Sequence, residues 1–185
     1  MTEGLEYKRL FIAIDLPGSL KKELVKQQNQ LPGFKWASIN QLHLTLRFLG
    51  NVSISNIKLL CDSLENINDK PFKMHVFGTG FFPNAKRPSV FWLGLDSTAQ
   101  LSNLKNKIDK VLLQILNFEP EKRDFVPHIT LLRFRRPPRK SVIQQIIEHF
   151  AKFPAQEVAV SRFYLYSSEL SQHGATHKIE QEFVL

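Results

Sequence analysis

The sequence predicts an α+β protein with mainly antiparallel sheet. Three observations carry that prediction. Short strand-like runs, apolar or alternating, recur between stretches with helical periodicity. After one extra strand at the start, the order helix, strand, helix, strand, strand occurs twice. The same four-residue pattern, His, apolar, Thr, apolar, then falls at 43–46 and again at 128–131, each time on the first strand after a helix. No long linker or low-complexity stretch divides the chain. Residues 1–185 therefore read as one domain, or two small lobes sharing a core, with an internal duplication.

The elements follow in order. Leu10 to Ile14 is a short continuous apolar run, the mark of a buried strand. Pro17 suits the start of a helix, and Leu20, Leu24 and Leu31 give it an apolar face. Gln41 to Phe48 alternates as a strand does. Ser53 or Ser55 can cap the next helix, whose inner positions are Ile57, Leu60, Cys61 and Leu64. Phe72, Met74 and Val76 alternate with Lys73 and His75 in a third strand, which Gly78 and Gly80 loosen before a turn at Phe81-Phe82-Pro83. Val90 to Leu95 is a fourth strand.

In the second repeat, Leu101, Leu104, Ile108, Val111, Leu112 and Ile115 mark an amphipathic helix. His128 to Phe134 reads as a strand, and Pro137-Pro138 breaks it. Val142 to Phe150 reads as a helix. Glu157 to Tyr166 and Ile179 to Leu185 read as strands.

Composition narrows the function classes. The hydrophobic share of 43 % supports a sizeable core. With 25 basic against 17 acidic residues the formal net charge is +8, which suits an anionic partner such as nucleic acid as well as a generally basic soluble protein. The single cysteine, Cys61, excludes an internal disulfide and a cysteine zinc cluster, and fits a reducing, cytoplasmic setting. The apolar stretch Leu10 to Ile14 is too short for a signal peptide, and no apolar run has membrane-spanning length, so no membrane role is expected. Nothing signals an oligomer, and a monomer is expected.

The repeated pattern carries the chemistry. The chain holds 6 His, and chance placement gives roughly 0.035 such matches, so two at equivalent places argue for design. Strand side chains alternate faces. His43 and Thr45 thus share one face while Leu44 and Leu46 anchor the other, and His128 and Thr130 stand likewise against Ile129 and Leu131. If a pseudo-twofold relates the repeats, the two polar faces line one groove. Two imidazoles titrating near neutrality can act as base and acid in one displacement. Two hydroxyls can donate to phosphate oxygens. No activated Ser or Cys is evident, so water or another hydroxyl would attack directly. A zinc site at His43 and His128 lacks a third ligand with recognisable spacing, and no metal or cofactor is expected.

With these motifs the sequence resembles the 2H phosphoesterase superfamily, and within it the RNA 2′,3′-cyclic phosphodiesterase (2′-5′ RNA ligase) branch. The resemblance extends through Arg9 to Asp15 with Leu16-Pro17, and through Asn40-Gln41-Leu42 and Arg47-Phe48-Leu49-Gly50. It continues in Phe91-Trp92-Leu93-Gly94, Phe125-Val126-Pro127 and Phe163 to Ser168. It implies a bilobal α+β fold, with two antiparallel sheets facing each other around the site. It implies hydrolysis of cyclic phosphate ends of RNA to 2′-phosphomonoesters, with 2′-5′ joining as a further activity. By resemblance His43 is the proton donor to the leaving 3′ oxygen, His128 the acceptor that activates water, and Thr45 and Thr130 hold the phosphate.

The family often carries an Arg shortly after its second motif, where Arg133 stands. Strict alternation puts Arg133 on the Ile129 side, so only a bulge or an early strand end would swing it to His128. Arg47 has the parity of His43 and is a second candidate. His75, His149, His173 and His177 have no such context and are expected at the surface. The basic run Arg133, Arg135, Arg136, Arg139 and Lys140 reads either as a solvated turn or as a contact to flanking RNA phosphates. Phe11, Phe48 and Phe134 are candidates for stacking a base. The alternatives that remain are a non-catalytic RNA or nucleotide binder, and a 2H enzyme for 2′-5′ oligonucleotides or ADP-ribose cyclic phosphates.

Overall fold

A computed structural model describes residues 6–96, 98–172 and 174–185. Among the described residues, thirteen elements include eight strands and four α-helices. In chain order they are β1 (Tyr7–Asp15), α1 (Gly18–Asn29), a 3₁₀ turn (Ile39–Gln41), β2 (His43–Ser53) and α2 (Ile54–Glu65). There follow β3 (Phe72–Phe82), β4 (Val90–Leu95), α3 (Ala99–Leu116), β5 (His128–Arg133) and α4 (Lys140–Phe150). The chain closes with β6 (Gln156–Val160), β7 (Arg162–Ser171) and β8 (Gly174–Val184). No described helix is long and apolar enough to cross a membrane.

The strands form one curled sheet in the order β6-β3-β4-β5-β2-β1-β7-β8. Its two four-stranded halves join where the motif strands meet, at the single pair Leu44↔Ile129. The sheet halves are not the sequence halves. One takes β3 to β6 from the middle of the chain, and the other takes β1, β2, β7 and β8 from its two ends.

The main core lies between the sheet and the helices. Leu10, Ile12 and Ile14 of β1 pack into it with Leu44 and Leu46 of β2 and with Ile129 and Leu131 of β5. Leu20 and Leu24 of α1, Leu60 and Leu64 of α2, and Ile108 and Leu112 of α3 cover them. Each such side chain contributes about 1.5–3 kcal/mol by leaving water. Helix α3 is framed by its sequence. The Thr98 hydroxyl accepts from the Leu101 N–H at 3.1 Å, and Asn117 ends the helix in the left-handed region at φ 53°. On the opposite face of β1, Phe11 and Ala13 form a separate small cluster with Tyr166.

Some boundaries depart from the sequence pattern. The run Glu157 to Tyr166 is two strands, β6 and β7, which pair with β3 and β1 respectively. Strand β3 runs on past Gly78, whose φ of +66° accompanies a register shift between Val76 and Thr79. Strand β8 begins at Gly174, well before Ile179, because its hairpin with β7 continues to Ser171↔Gly174.

Candidate active site

Two bulges set the parity of the motif strands. On β2, Thr45 pairs with Ala13 and Arg47 with Ile12, so Leu46 is an extra residue opposite β1. On β5, Thr130 pairs with Trp92 and Leu132 with Phe91, so Leu131 is an extra residue opposite β4. Alternation restarts after each bulge. Leu46 and Arg47 are both buried, and so are Leu131 and Leu132. The fifth residue after each motif histidine, Phe48 in one strand and Arg133 in the other, returns to the groove face.

Arg133 is thus brought to the His128 side by the bulge that its position required. Arg47 is not. It is 7 % exposed and points away from the histidines. Its Nη2 donates to the Glu119 carbonyl, and its Nη1 lies 3.5 Å from Asp109, which also holds Lys105 at 2.7 Å. Arg47 therefore ties the 117–127 segment to the back of the sheet, a role that strict alternation along β2 did not anticipate.

The groove face of the central strands opens into a cavity of about 820 Å³. His43, Thr45, His128, Thr130 and Arg133 all line it. Counting outward from Leu44↔Ile129 in an antiparallel ladder sets His43 beside Thr130 and Thr45 beside His128. Each imidazole thus has a hydroxyl across the seam.

The histidines differ in their surroundings. His128 Nδ1 lies 2.8 Å from the Val126 carbonyl oxygen. A carbonyl only accepts, so Nδ1 carries the proton and Nε2 of the neutral ring is the acceptor. Phe82 meets the ring edge-on at 4.8 Å, and Trp92 lies 6.1 Å away. Burial lowers the His128 pKa, the Val126 contact opposes that, and Arg133 adds to it.

His43 is deeper. Phe11 stacks on it at 4.9 Å, and Tyr166, nearly parallel to Phe11 at 5.0 Å, also lies against His43 with ring centroids 5.9 Å apart. Its Nδ1 is buried without a hydrogen-bond partner among the described residues. Burial above all, then the neighbouring basic groups His177, Lys21, Arg133 and His128, bring its pKa down to about 3. In these surroundings His43 is neutral at physiological pH.

Of the other expected residues, Phe48 is 56 % exposed on the groove wall and Phe11 is buried beneath His43. Phe134 packs against the main core instead. Arg135 lines the groove along with Lys35 and Trp36, which the bridge Trp36↔Leu132 holds against the end of β5. His75 is at the surface with Asp96 3.1 Å from its Nδ1, and His149 Nε2 meets the Gln27 carbonyl at 3.0 Å. His173 lies outside the described residues. His177 is the correction: it is not a surface residue but lines the groove, 5.2 Å from the His43 ring. No local motif marks it, because pairing between distant strands carries it there. Among the described residues no group of three or more His, Cys, Asp or Glu could hold a metal ion.

A curled antiparallel sheet with a His-x-Thr-x segment on each of two abutting central strands defines a class, the two-histidine phosphoesterases. A family model described as LigT-like phosphoesterase matches residues 14–92 and again 93–176, and the chain belongs to that family. It is 37 % identical over 181 residues to the RNA 2′,3′-cyclic phosphodiesterase of Thermotoga maritima, a match covering 94 % of each chain. It is 31 % identical to the enzyme of the same name from Archaeoglobus fulgidus, over 92 % of this chain and 96 % of the relative. Among solved structures, Escherichia coli LigT in complex with 3′-AMP superposes with a TM-score of 0.78 at 26 % identity, covering 97 % of this chain and 99 % of that one. A second solved structure, from Thermus thermophilus, superposes with a TM-score of 0.75 at 27 % identity, covering 96 % and 97 %.

Proposed function

We propose that this phosphoesterase opens the 2′,3′-cyclic phosphate end of an RNA to a 2′-phosphomonoester, with His43 and His128 dividing the proton transfers and no metal taking part. The tautomer of His128 carries the proposal. With Nδ1–H held by the Val126 carbonyl, Nε2 is the free lone pair a general base needs. Nε2 takes a proton from water as the water oxygen bonds to phosphorus. The P–O3′ bond breaks, and His43 gives its proton to the departing 3′ oxygen.

His43 must be charged to do this, and its protein surroundings alone keep it neutral. The anionic substrate resolves the conflict, since an opposite charge within about 4–6 Å favours the protonated ring. Thr45 and Thr130 donate to the non-bridging oxygens, and the Arg133 fork neutralises the charge that develops there. Phe48 offers an exposed face to the terminal base. If the 5′-hydroxyl of a second RNA replaces water, the same steps join two ends 2′–5′. The names of the relatives support an RNA substrate. The two consecutive family matches support a single domain built by duplication.

The test is hydrolysis of a short RNA ending in 2′,3′-cyclic phosphate in excess EDTA. We expect turnover to the 2′-phosphate, and a fall of about 10²-fold or more in both His43→Ala and His128→Ala. Turnover that survives either substitution would sink the two-histidine mechanism. A folded wild type without turnover would remove the substrate assignment.

A further inference from the structure

A third imidazole beside the proposed acid has no part in the proton transfers described above. His177 stands on β8, which pairs with β7 at Ser168↔His177, while β7 pairs with β1 at Leu10↔Ser167. These pairings bring His177 to the groove. Its ring meets His43 edge-on, with centroids 5.2 Å apart and planes at 63°. It also meets Phe11 edge-on at 4.9 Å. Phe11 in turn stacks on His43, so the three rings close a triangle. Among the described residues, the Nδ1 atoms of both His43 and His177 are buried without hydrogen-bond partners.

The charges around this triangle are mostly positive. Lys21 of α1, and Arg133 and His128 of β5, act on His43, and Arg133 also acts on His177. Asp15 of β1 is engaged by Lys21 at 2.5 Å and by the Tyr166 hydroxyl of β7. Among the described residues, neither His43 nor His177 forms an ion pair with a carboxylate. Two imidazolium rings about 5 Å apart in such surroundings repel each other strongly, so the pair titrates as a unit.

We infer that His177 is a positioning residue that competes with His43 for a single proton, so that the acid is fully charged only with a phosphate in the groove. The inference rests on reading His43 as the proton donor. Its consequence is that the free enzyme does not hold two like charges next to each other. Burial lowers both rings, and His177 is the leading neighbouring charge that lowers His43.

The experiment is an NMR titration of the histidine Cε1–H signals of the whole protein saturated with inorganic phosphate. It compares wild type with His177→Gln, which removes the competing base but keeps a polar side chain. The His43 midpoint is expected to rise by at least one pH unit, a tenfold gain in proton affinity. A midpoint that stays or falls in a folded variant overturns the inference. If Gln disturbs the β7–β8 hairpin, His177→Asn answers the same question. The pH profile of kcat, which reports groups in the substrate complex, then separates this inference from the functional reading beneath it. A parallel upward shift of the alkaline limb supports both. A shifted titration with an unmoved limb keeps the shared proton and removes His43 as the acid. A merely structural His177 would lower activity or stability and leave both midpoints in place.

Discussion

Replacing Gly80 with Ala should damage the wall behind His128. Gly80 pairs with Trp92 across β3 and β4, and the indole lies flat over the glycine. A Cβ at position 80 would stand 2.1, 2.3 and 2.7 Å from three ring carbons. Carbon contacts are comfortable at about 3.5–4.0 Å, so the ring must lift by roughly 1.5 Å. It cannot lift freely, because Phe82 packs on it at 5.2 Å and also on His128 at 4.8 Å. Overpacking of this kind costs about 1–3 kcal/mol. For a chain of this length that is a fall in Tm of roughly 2–10 °C.

Displacing His128 by about 1 Å would also cost on the order of 10²-fold in rate. Thermal unfolding and kcat/KM on a cyclic-phosphate RNA read both effects. Trp92→Leu added to Gly80→Ala should recover much of the lost stability, because it removes the ring that the new methyl strikes. A Gly80→Ala protein with unchanged Tm and near-normal turnover would refute this account of the wall.

Other consequences can be measured just as directly. Arg133→Ala should lower kcat/KM on cyclic-phosphate RNA by about 10–100-fold, the worth of a charge-assisted phosphate contact, with partial recovery in Arg133→Lys. Arg135→Ala should leave a cyclic mononucleotide unaffected, yet weaken longer RNA and reduce the salt slope of its binding by about one. Stability should fall with acid. His43 has a folded pKa of about 3 against 6.5 in the unfolded chain. The unfolded state therefore binds more protons between these values, and the loss approaches about 1.4 kcal/mol per pH unit as pH drops from about 6.5 toward 3. Urea unfolding at pH 7 and pH 5 checks this, and His43→Gln should flatten the dependence. Arg47→Met should cost about 3 kcal/mol in the same assay, by removing one partner from the buried group with Asp109 and Lys105.

Alternation along one strand was enough to put His43 with Thr45 and His128 with Thr130, because those residues precede the bulges. It misdirected Arg47 because the extra residue Leu46 exists only relative to β1, which strand periodicity cannot see. The same holds for Arg133, since the extra residue Leu131 exists only relative to β4. His177 was beyond reach for a different reason. Its neighbour His43 is far away in sequence, and three strand pairings, β8 with β7, β7 with β1 and β1 with β2, bring them together. The break between β6 and β7 falls at Ser161 alone, too brief to interrupt an apolar pattern.

The arrangement of the sheet also sets an order on the chain's own synthesis. The half that holds His128 is built from β3 to β6, a continuous stretch that emerges from the ribosome in one piece. The half that holds His43 must wait. Strand β1 finds its second neighbour only when β7 arrives, more than 150 residues later, and Tyr166 and His177 come with β7 and β8. Until then Phe11 and one edge of β1 stand uncovered in a growing chain, where unpaired edges invite wrong partners. The surroundings of His43 are therefore completed later than those of His128. A chain released early would keep one motif histidine in a nearly finished sheet and leave the other half-exposed.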